Sequence, residues 1–221
     1  MERLSAFGRF GGNCMRAYQR LRRSFGLKPA PLDVRMGNLE GFESDSNVLW
    51  HQALRSATRY AEYGIGKSTV YAALYFSASV RGVETDPRWV QAVQANVSSD
   101  RVELIHADVG EVGKWGRPLG YQHKDGIQRY FDAPYEAAYD PDVVLIDGRS
   151  RVACWATSML SASSGSKLVF DDYPIRPQYS ELERVCQPDE VRGNQALFVV
   201  PDKRPVTDLE DLLRDFRFVM D

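Results

Sequence analysis

Apolar positions along the chain follow two alternating spacings, which predict alternating strands and helices. Short apolar runs that end at a turn or an acid predict strands at 58–64, 79–86, 101–109, 141–148, 166–173 and 195–200. Apolar residues at helical spacing predict helices at 44–56, 67–77, 87–97, 151–160 and 208–216. This alternation predicts an α/β fold built on an open, mostly parallel sheet.

Two segments depart from the alternation. Residues 1–43 begin with a stretch that carries seven Arg and Lys residues and no acid from Arg3 to Lys28, followed by a proline-containing linker. We predict a basic helical arm and linker there, ahead of a main domain at 44–221. Residues 110–140 are rich in Gly, Trp, Tyr and Pro, too long for an ordinary connection and too aromatic for a disordered linker. We expect an ordered excursion inserted into the domain.

Composition excludes several classes of protein. The formal net charge of −2 gives no support to nucleic-acid binding by bulk charge. The 3 cysteines have no metal-like spacing, and their odd number argues against a disulfide framework, so we expect a reducing, cytoplasmic setting. No apolar run approaches the roughly 18 residues of a membrane span.

The segment "AEYGIGKS" (61–68) is open to two interpretations. It approaches a phosphate-binding P-loop, with Lys67 and Ser68 at the phosphate and Mg²⁺ positions and "VVLID" (143–147) as a strand ending in a metal-binding Asp. It also fits the glycine loop of a Rossmann-like methyltransferase. Ala61 lies inside the predicted strand, which leaves a loop too short to wrap a phosphate, so the P-loop hydrolase or kinase is the alternative.

An acid stands at the end of every predicted parallel strand. Glu84 lies 20 positions after Gly64, the usual place of an acceptor for ribose hydroxyls. Asp108 is placed to accept from the amine of adenine, and Glu62 to face a cationic amino or sulfonium group. Together these residues predict a cationic ligand that contains adenosine.

Five motifs carry a resemblance to a known family: "EYGIGKST" (62–69), "VETDPRWV" (83–90), "GKWGRP" (113–118), "LIDGRSRVAC" (145–154) and "FDDYPIRPQY" (170–179). Over about residues 44–185 the chain resembles class I S-adenosylmethionine-dependent methyltransferases, especially a small group of bacterial members. The resemblance implies a Rossmann-like, doubly wound sheet with helices on both faces, and S-adenosyl-L-methionine as cofactor. Lys67 departs from the group, in which a small residue is common. The cofactor-binding residues implied are Glu62, Gly64, Gly66, Ser68, Thr69, Glu84, Asp108 and Asp147.

Asp147, Asp171 and Asp172 end two neighbouring strands and predict a site for Mg²⁺ or Ca²⁺. Their placement is similar to that of metal-dependent O-methyltransferases, in which the ion binds two substrate oxygens and lowers the pKa of the hydroxyl. Catalytic candidates are Asp147, Asp172 and Tyr173. The alternative is that the acids cap helices or pair with arginines, namely Arg149, Arg151 and Arg176.

We therefore expect a methyltransferase that transfers the methyl group to an oxygen of a small-molecule or glycan-like acceptor, with a divalent metal and a homodimer as further expectations. The alternatives are a P-loop enzyme and a non-catalytic, methyltransferase-like binding module.

Overall fold

The computed structural model of the chain describes residues 45–220, and the predicted arm lies outside them. Its 7-stranded sheet has the order β3-β2-β1-β4-β5-β7-β6. β1 to β5 are parallel, and β7 runs antiparallel to both β5 and β6. This confirms the predicted mostly parallel α/β sheet. The strands are β1 (Arg59–Tyr63), β2 (Ser79–Glu84), β3 (Val102–His106), β4 (Val143–Ile146), β5 (Lys167–Asp171), β6 (Glu190–Arg192) and β7 (Gln195–Val199).

Six α-helices precede, connect or follow the strands in the part of the chain that the structure describes. They are α1 (Val48–Leu54), α2 (Lys67–Tyr75), α3 (Pro87–Gln94), α4 (Lys124–Asp132), α5 (Arg151–Ser161) and α6 (Val206–Phe216). Segments of 3-10 helix occupy Asp45–Asn47, Lys114–Gly116, Ala133–Ala138 and Pro177–Arg184. Within residues 45–220, no helix combines the length and the apolar character needed to cross a membrane.

The central strands are buried because helices cover both faces of the sheet. Side chains alternate along β1, so Tyr60 packs in one apolar cluster and Ala61 and Tyr63 in another. α1 and α2 contribute to the Tyr60 cluster, whereas α4, α5 and α6 contribute to the Ala61 cluster. All four residues of β4 are buried, as expected for an apolar strand in the middle of a parallel sheet.

The reversed direction of β7 brings its first residue to the ligand edge of the sheet. Gln195 is paired with Asp171, the last residue of β5. A parallel strand in this position would have placed the other end of β7 there. The sequence pattern predicts the strand but not its direction, and it does not predict β6, a 3-residue exposed edge strand.

The segment 110–140 contains a turn, helix α4 and a second turn, and it lies along the end of the sheet. Its first turn is fixed to Thr85, the residue after β2, whose hydroxyl donates to the Gly116 carbonyl at 2.7 Å. Arg81 on β2 donates to the Glu136 carbonyl at 2.5 Å in the second turn. These two contacts hold the segment against β2.

Gly126 in α4 gives a test of this packing. A Cβ added there would lie 1.7 Å from the Asp108 carbonyl oxygen, a backbone atom that cannot move alone. We expect Gly126→Ala to lower the free energy of unfolding by about 1–3 kcal/mol through overpacking. Intrinsic helix propensity predicts the opposite, a gain of about 1 kcal/mol. Urea denaturation measures the difference, with Lys124→Ala on the exposed face of the same helix as control.

Candidate functional site

A cleft of about 560 Å³ opens at the carboxyl ends of the parallel strands. The residues after β1, the last residue of β2, and the residues after β4 and β5 line it, together with Gln195 at the start of β7. Because parallel strands direct their carboxyl ends to one edge, four of the predicted acids meet the glycine loop there: Glu84, Asp147, Asp171 and Asp172. The volume is in the range of a small-molecule or cofactor site.

The glycine loop is three residues long, Gly64 to Gly66, between β1 and α2. Gly64 has a φ of 85°, and a Cβ there would lie 2.6 Å from Gly148 Cα, so the backbone after β1 touches the backbone after β4. The Gly66 amide donates to Thr69 Oγ1 at 2.8 Å, which closes the first turn of α2. Lys67 is exposed in that turn and lines the cleft. Three residues are too few to surround a phosphate group, which argues against the P-loop.

Glu62 does not face the cleft, contrary to the prediction. It is fully buried and accepts hydrogen bonds from the hydroxyls of Tyr60, Ser68 and Thr69, the second of these at 3.3 Å. Burial raises its pKa to about 7, although the hydroxyl donors oppose this shift and the nearby Asp147 adds to it. The carboxylate thus fixes the start of α2 on β1 and acts on the cleft through the loop. Thr69 is buried with it, whereas Ser68 lines the cleft.

Glu84 ends β2 inside the cleft, where the sequence places it. Its Oε1 accepts from the Thr85 amide at 2.7 Å, the Thr85 hydroxyl at 3.0 Å and the Asp86 amide at 2.9 Å. None of these three bonds uses Oε2. The side chain is buried, and desolvation raises its pKa against the effect of the three donors. The carboxylate is therefore held rigidly with one oxygen already satisfied.

Asp108, which the sequence predicts to contact adenine, lies away from this cleft. β3 ends at His106, and the Asp108 side chain is 70% exposed beside His123 in a separate depression. Its Oδ1 accepts from the Gly110 amide at 2.9 Å. Helix α4 packs on the Asp108 carbonyl at Gly126, and β3 ends three residues before the predicted strand end.

The three predicted metal ligands surround an arginine. Arg151, the first residue of α5, donates from Nη2 to Asp147 Oδ1 at 2.7 Å, and its Nη1 lies 3.3 Å from Asp172 Oδ2. Asp172 Oδ2 also accepts from Arg176 at 2.9 Å. Asp171 Oδ1 accepts from Gln195 Nε2 at 3.2 Å. For Asp147 and Asp172, the arrangement observed is the pairing with arginines that was kept as the alternative.

This arrangement does not fit a divalent ion. The carboxylates of Asp147 and Asp172 are turned towards the Arg151 guanidinium group, and its positive charge would repel a metal among them. No cluster of three or more His, Cys, Asp or Glu side chains suited to a metal occurs within residues 45–220.

Asp147 has the surroundings of a proton acceptor. Its side chain is 39% exposed, at the cleft surface. Desolvation raises its pKa to about 7; Arg151 pulls the pKa down, and the adjacent Asp171 and Asp172 push it up. A carboxyl that titrates near neutral pH can accept a proton and release it again.

Tyr173, a predicted catalytic residue, lies in the core instead. Its ring packs on Phe170 and Phe198, and its hydroxyl donates to Glu183 Oε1 at 3.0 Å. Tyr173 does not line the cleft. The left-handed backbone of Asp172, with a φ of 59°, turns the chain between Asp171 and Tyr173.

Several cleft residues escaped the sequence analysis. Trp50 on α1 donates its amide to Gln195 Oε1 and its indole nitrogen to the Tyr60 hydroxyl, each at 3.0 Å. Trp89 and Trp115 stack at 5.9 Å on the side of Glu84. Trp115 belongs to the motif "GKWGRP", so the sequence held a signal for it. Gln195 could not be placed at the cleft from the sequence, because its position depends on the antiparallel direction of β7.

The comparison with solved structures agrees with this fold. A solved methyltransferase-like protein from Silicibacter pomeroyi is 30% identical, with a TM-score of 0.68, over 81% of this chain and 96% of that one. An RNA methyltransferase from Salinibacter ruber, solved with S-adenosyl-L-homocysteine, is 19% identical, with a TM-score of 0.45, over 80% and 95%. No protein-family model matches the chain, and no curated protein matches it. The chain belongs to the class I S-adenosylmethionine-dependent methyltransferases.

The raised pKa of Glu62 predicts that the stability of the protein depends on pH. A pKa raised from 4.5 to about 7 means that the folded state holds a proton that the unfolded state has lost between these values. The free energy of unfolding should therefore fall as pH rises through this window, by about 3 kcal/mol at most for this group. We expect Glu62→Gln to flatten this fall in urea denaturation at pH 5, 6, 7 and 8.

The matched control for that measurement is Glu181→Gln, which removes a carboxylate from an exposed ion pair with Arg184. It should keep the wild-type pH dependence. An equally steep fall in Glu62→Gln would show that Glu62 is ionised throughout.

Proposed function

We propose that this chain binds S-adenosyl-L-methionine in the cleft and transfers its methyl group to an oxygen of a small-molecule or glycan-like acceptor. The observation that carries the proposal is Glu84, with one oxygen occupied by three donors and the second not engaged by them. A fixed carboxylate at the end of β2 suits the two hydroxyls of a ribose. Beside a triphosphate it would mainly repel.

The loop after β1 supports the same ligand. Gly64 has no room for a side chain, and Gly66 and Ser68 line the cleft next to it. These residues would hold the methionine end of the cofactor, while Glu84 would hold its ribose. Lys67 places a cation where the carboxylate of the cofactor would lie, which is a favourable pairing.

The cofactor, when bound, supplies a methyl group that is open to attack by a nucleophile. The chain must then orient the acceptor and accept its proton, because an alcohol attacks slowly while its proton is in place. Asp147 is the group we assign to this step, since it lies at the cleft surface and its pKa is raised to about 7. Asp172, held by Arg151 and Arg176, would orient the acceptor as a fixed hydrogen-bond acceptor.

A polar acceptor follows from the walls of the cleft. Asp147, Asp171, Asp172, Arg149 and Arg176 line the end that lies across from Glu84. Carboxylates and guanidinium groups in this density favour a ligand with several hydroxyl groups over an apolar one. The sequence also predicts assistance by a divalent ion, and the position of Arg151 argues against it.

The cofactor assignment is tested by calorimetric binding of S-adenosylhomocysteine. Glu84→Ala should weaken binding by about 1–3 kcal/mol, since hydrogen bonds to a charged acceptor are lost. Asp108→Ala is the control and should bind as the wild type does, because Asp108 lies outside the cleft. Wild-type binding of ATP in preference to S-adenosylhomocysteine would overturn the proposal.

The base assignment is tested by turnover on a panel of hydroxylated acceptors. Asp147→Asn keeps the oxygen that accepts from Arg151 but cannot take a proton, so we expect turnover to fall by about 10²–10⁴-fold. Wild-type turnover should fall as pH drops below about 7, where Asp147 is protonated. Affinity for S-adenosylhomocysteine should stay near the wild-type value; a variant with full turnover would remove Asp147 from catalysis.

A further inference from the structure

Arg151 binds several oxygen atoms at the end of the cleft that we assign to the acceptor. Its guanidinium contacts five oxygens with all three of its nitrogens. These are the Asp171 carbonyl at 2.7 Å, the Gly148 carbonyl at 3.2 Å, the Asp147 carbonyl at 3.4 Å, Asp147 Oδ1 at 2.7 Å and Asp172 Oδ2 at 3.3 Å. The side chain is only 4% exposed. The cation thus joins the ends of β4 and β5.

The place of Arg151 in the helix is unusual in electrostatic terms. It begins α5, and the amino end of a helix carries partial positive charge that disfavours a cation. A buried guanidinium is stable there only because carboxylates and carbonyls surround it. Its pKa is raised in spite of burial, owing to Asp147 first and then to neighbours that include Asp172 and Asp171.

The same oxygens are what a divalent ion would require. Carboxylate and carbonyl oxygens are the ligands of Mg²⁺ and Ca²⁺, and the end of β4 beside the end of β5 is where the sequence predicts the ion. A guanidinium offers fixed donors in one plane and cannot lose its charge at physiological pH. It therefore orients the carboxylates permanently, whereas a metal would do so only when bound.

We propose that Arg151 is the built-in cation of this cluster, a positioning residue that occupies the place of a divalent ion and holds Asp147 and Asp172 towards the acceptor. This proposal rests on the proposed function, because the cleft must be the transfer site for the arrangement to matter. Methyl transfer then requires no added metal. Arg176 supports the arrangement by donating to the same oxygen of Asp172.

Removing the guanidinium should create the metal site that the wild type lacks. We expect Arg151→Ala to melt at a lower temperature and to regain about 2–4 °C on addition of millimolar Mg²⁺ or Ca²⁺, because an ion that binds only the folded state stabilises it. The wild type should shift by less than about 1 °C under the same conditions. Thermal melting without cofactor measures both.

Two further variants separate positioning from charge. Arg184→Ala deletes an equal charge from an exposed ion pair with Glu181 and should show no metal response. Arg151→Lys keeps the charge but loses the planar set of donors, so it should stay insensitive to metal and lower turnover with little change in KM. Turnover of the wild type should not change when a chelator is added.

A rise in the melting temperature of the wild type with either ion, or a loss of turnover in chelator, would overturn the proposal. So would a folded Arg151→Ala protein with no response to either ion. If that variant does not fold, the wild-type measurements and Arg151→Lys still decide the matter. Failure of the proposed function would appear separately, as absent binding of S-adenosylhomocysteine.

Discussion

The close approach of two backbone segments, at Gly64 and Gly148, is the constraint from which the rest of the site follows. A side chain at Gly64 would lie 2.6 Å from Gly148 Cα, and one at Gly148 would lie 1.9 Å from the Tyr130 hydroxyl. The loop after β1, the loop after β4 and helix α4 therefore meet without side chains between them. This contact forms one wall of the cleft. Three residues after Gly148, the chain begins α5 at Arg151.

A buried hydrogen-bond network links the two ends of the cleft beneath this wall. Glu62 accepts from Tyr60, Tyr60 from the indole of Trp50, and Gln195 both accepts from the Trp50 amide and donates to Asp171. The network connects the glycine loop to the carboxylates that surround Arg151. Such a network fixes the loop and the acceptor end relative to one another, because each buried polar group depends on its neighbour.

The cleft keeps carboxylates at its surface while limiting their repulsion in two ways. Desolvation raises the pKa of Asp147 to about 7, so this group is partly protonated near neutral pH. Arg151 and Arg176 neutralise Asp172 directly. The sequence predicts a metal at these acids, with helix capping or pairing with arginines as the alternative; in the structure Asp147 pairs with Arg151, and Asp172 pairs with Arg151 and Arg176.

The sequence by itself determined the sheet, the short glycine loop and the position of Glu84, because these depend on local periodicity and on fixed spacing along the chain. It also predicted Asp108 and Tyr173 in the site, but β3 ends two residues before Asp108, which lies at the surface, and Tyr173 is buried in the core after the left-handed turn at Asp172. Only the tertiary structure decided that Arg151 stands among three carboxylates. That choice depends on packing between β4, β5 and α5, and packing between distant segments leaves no periodic signal in the sequence.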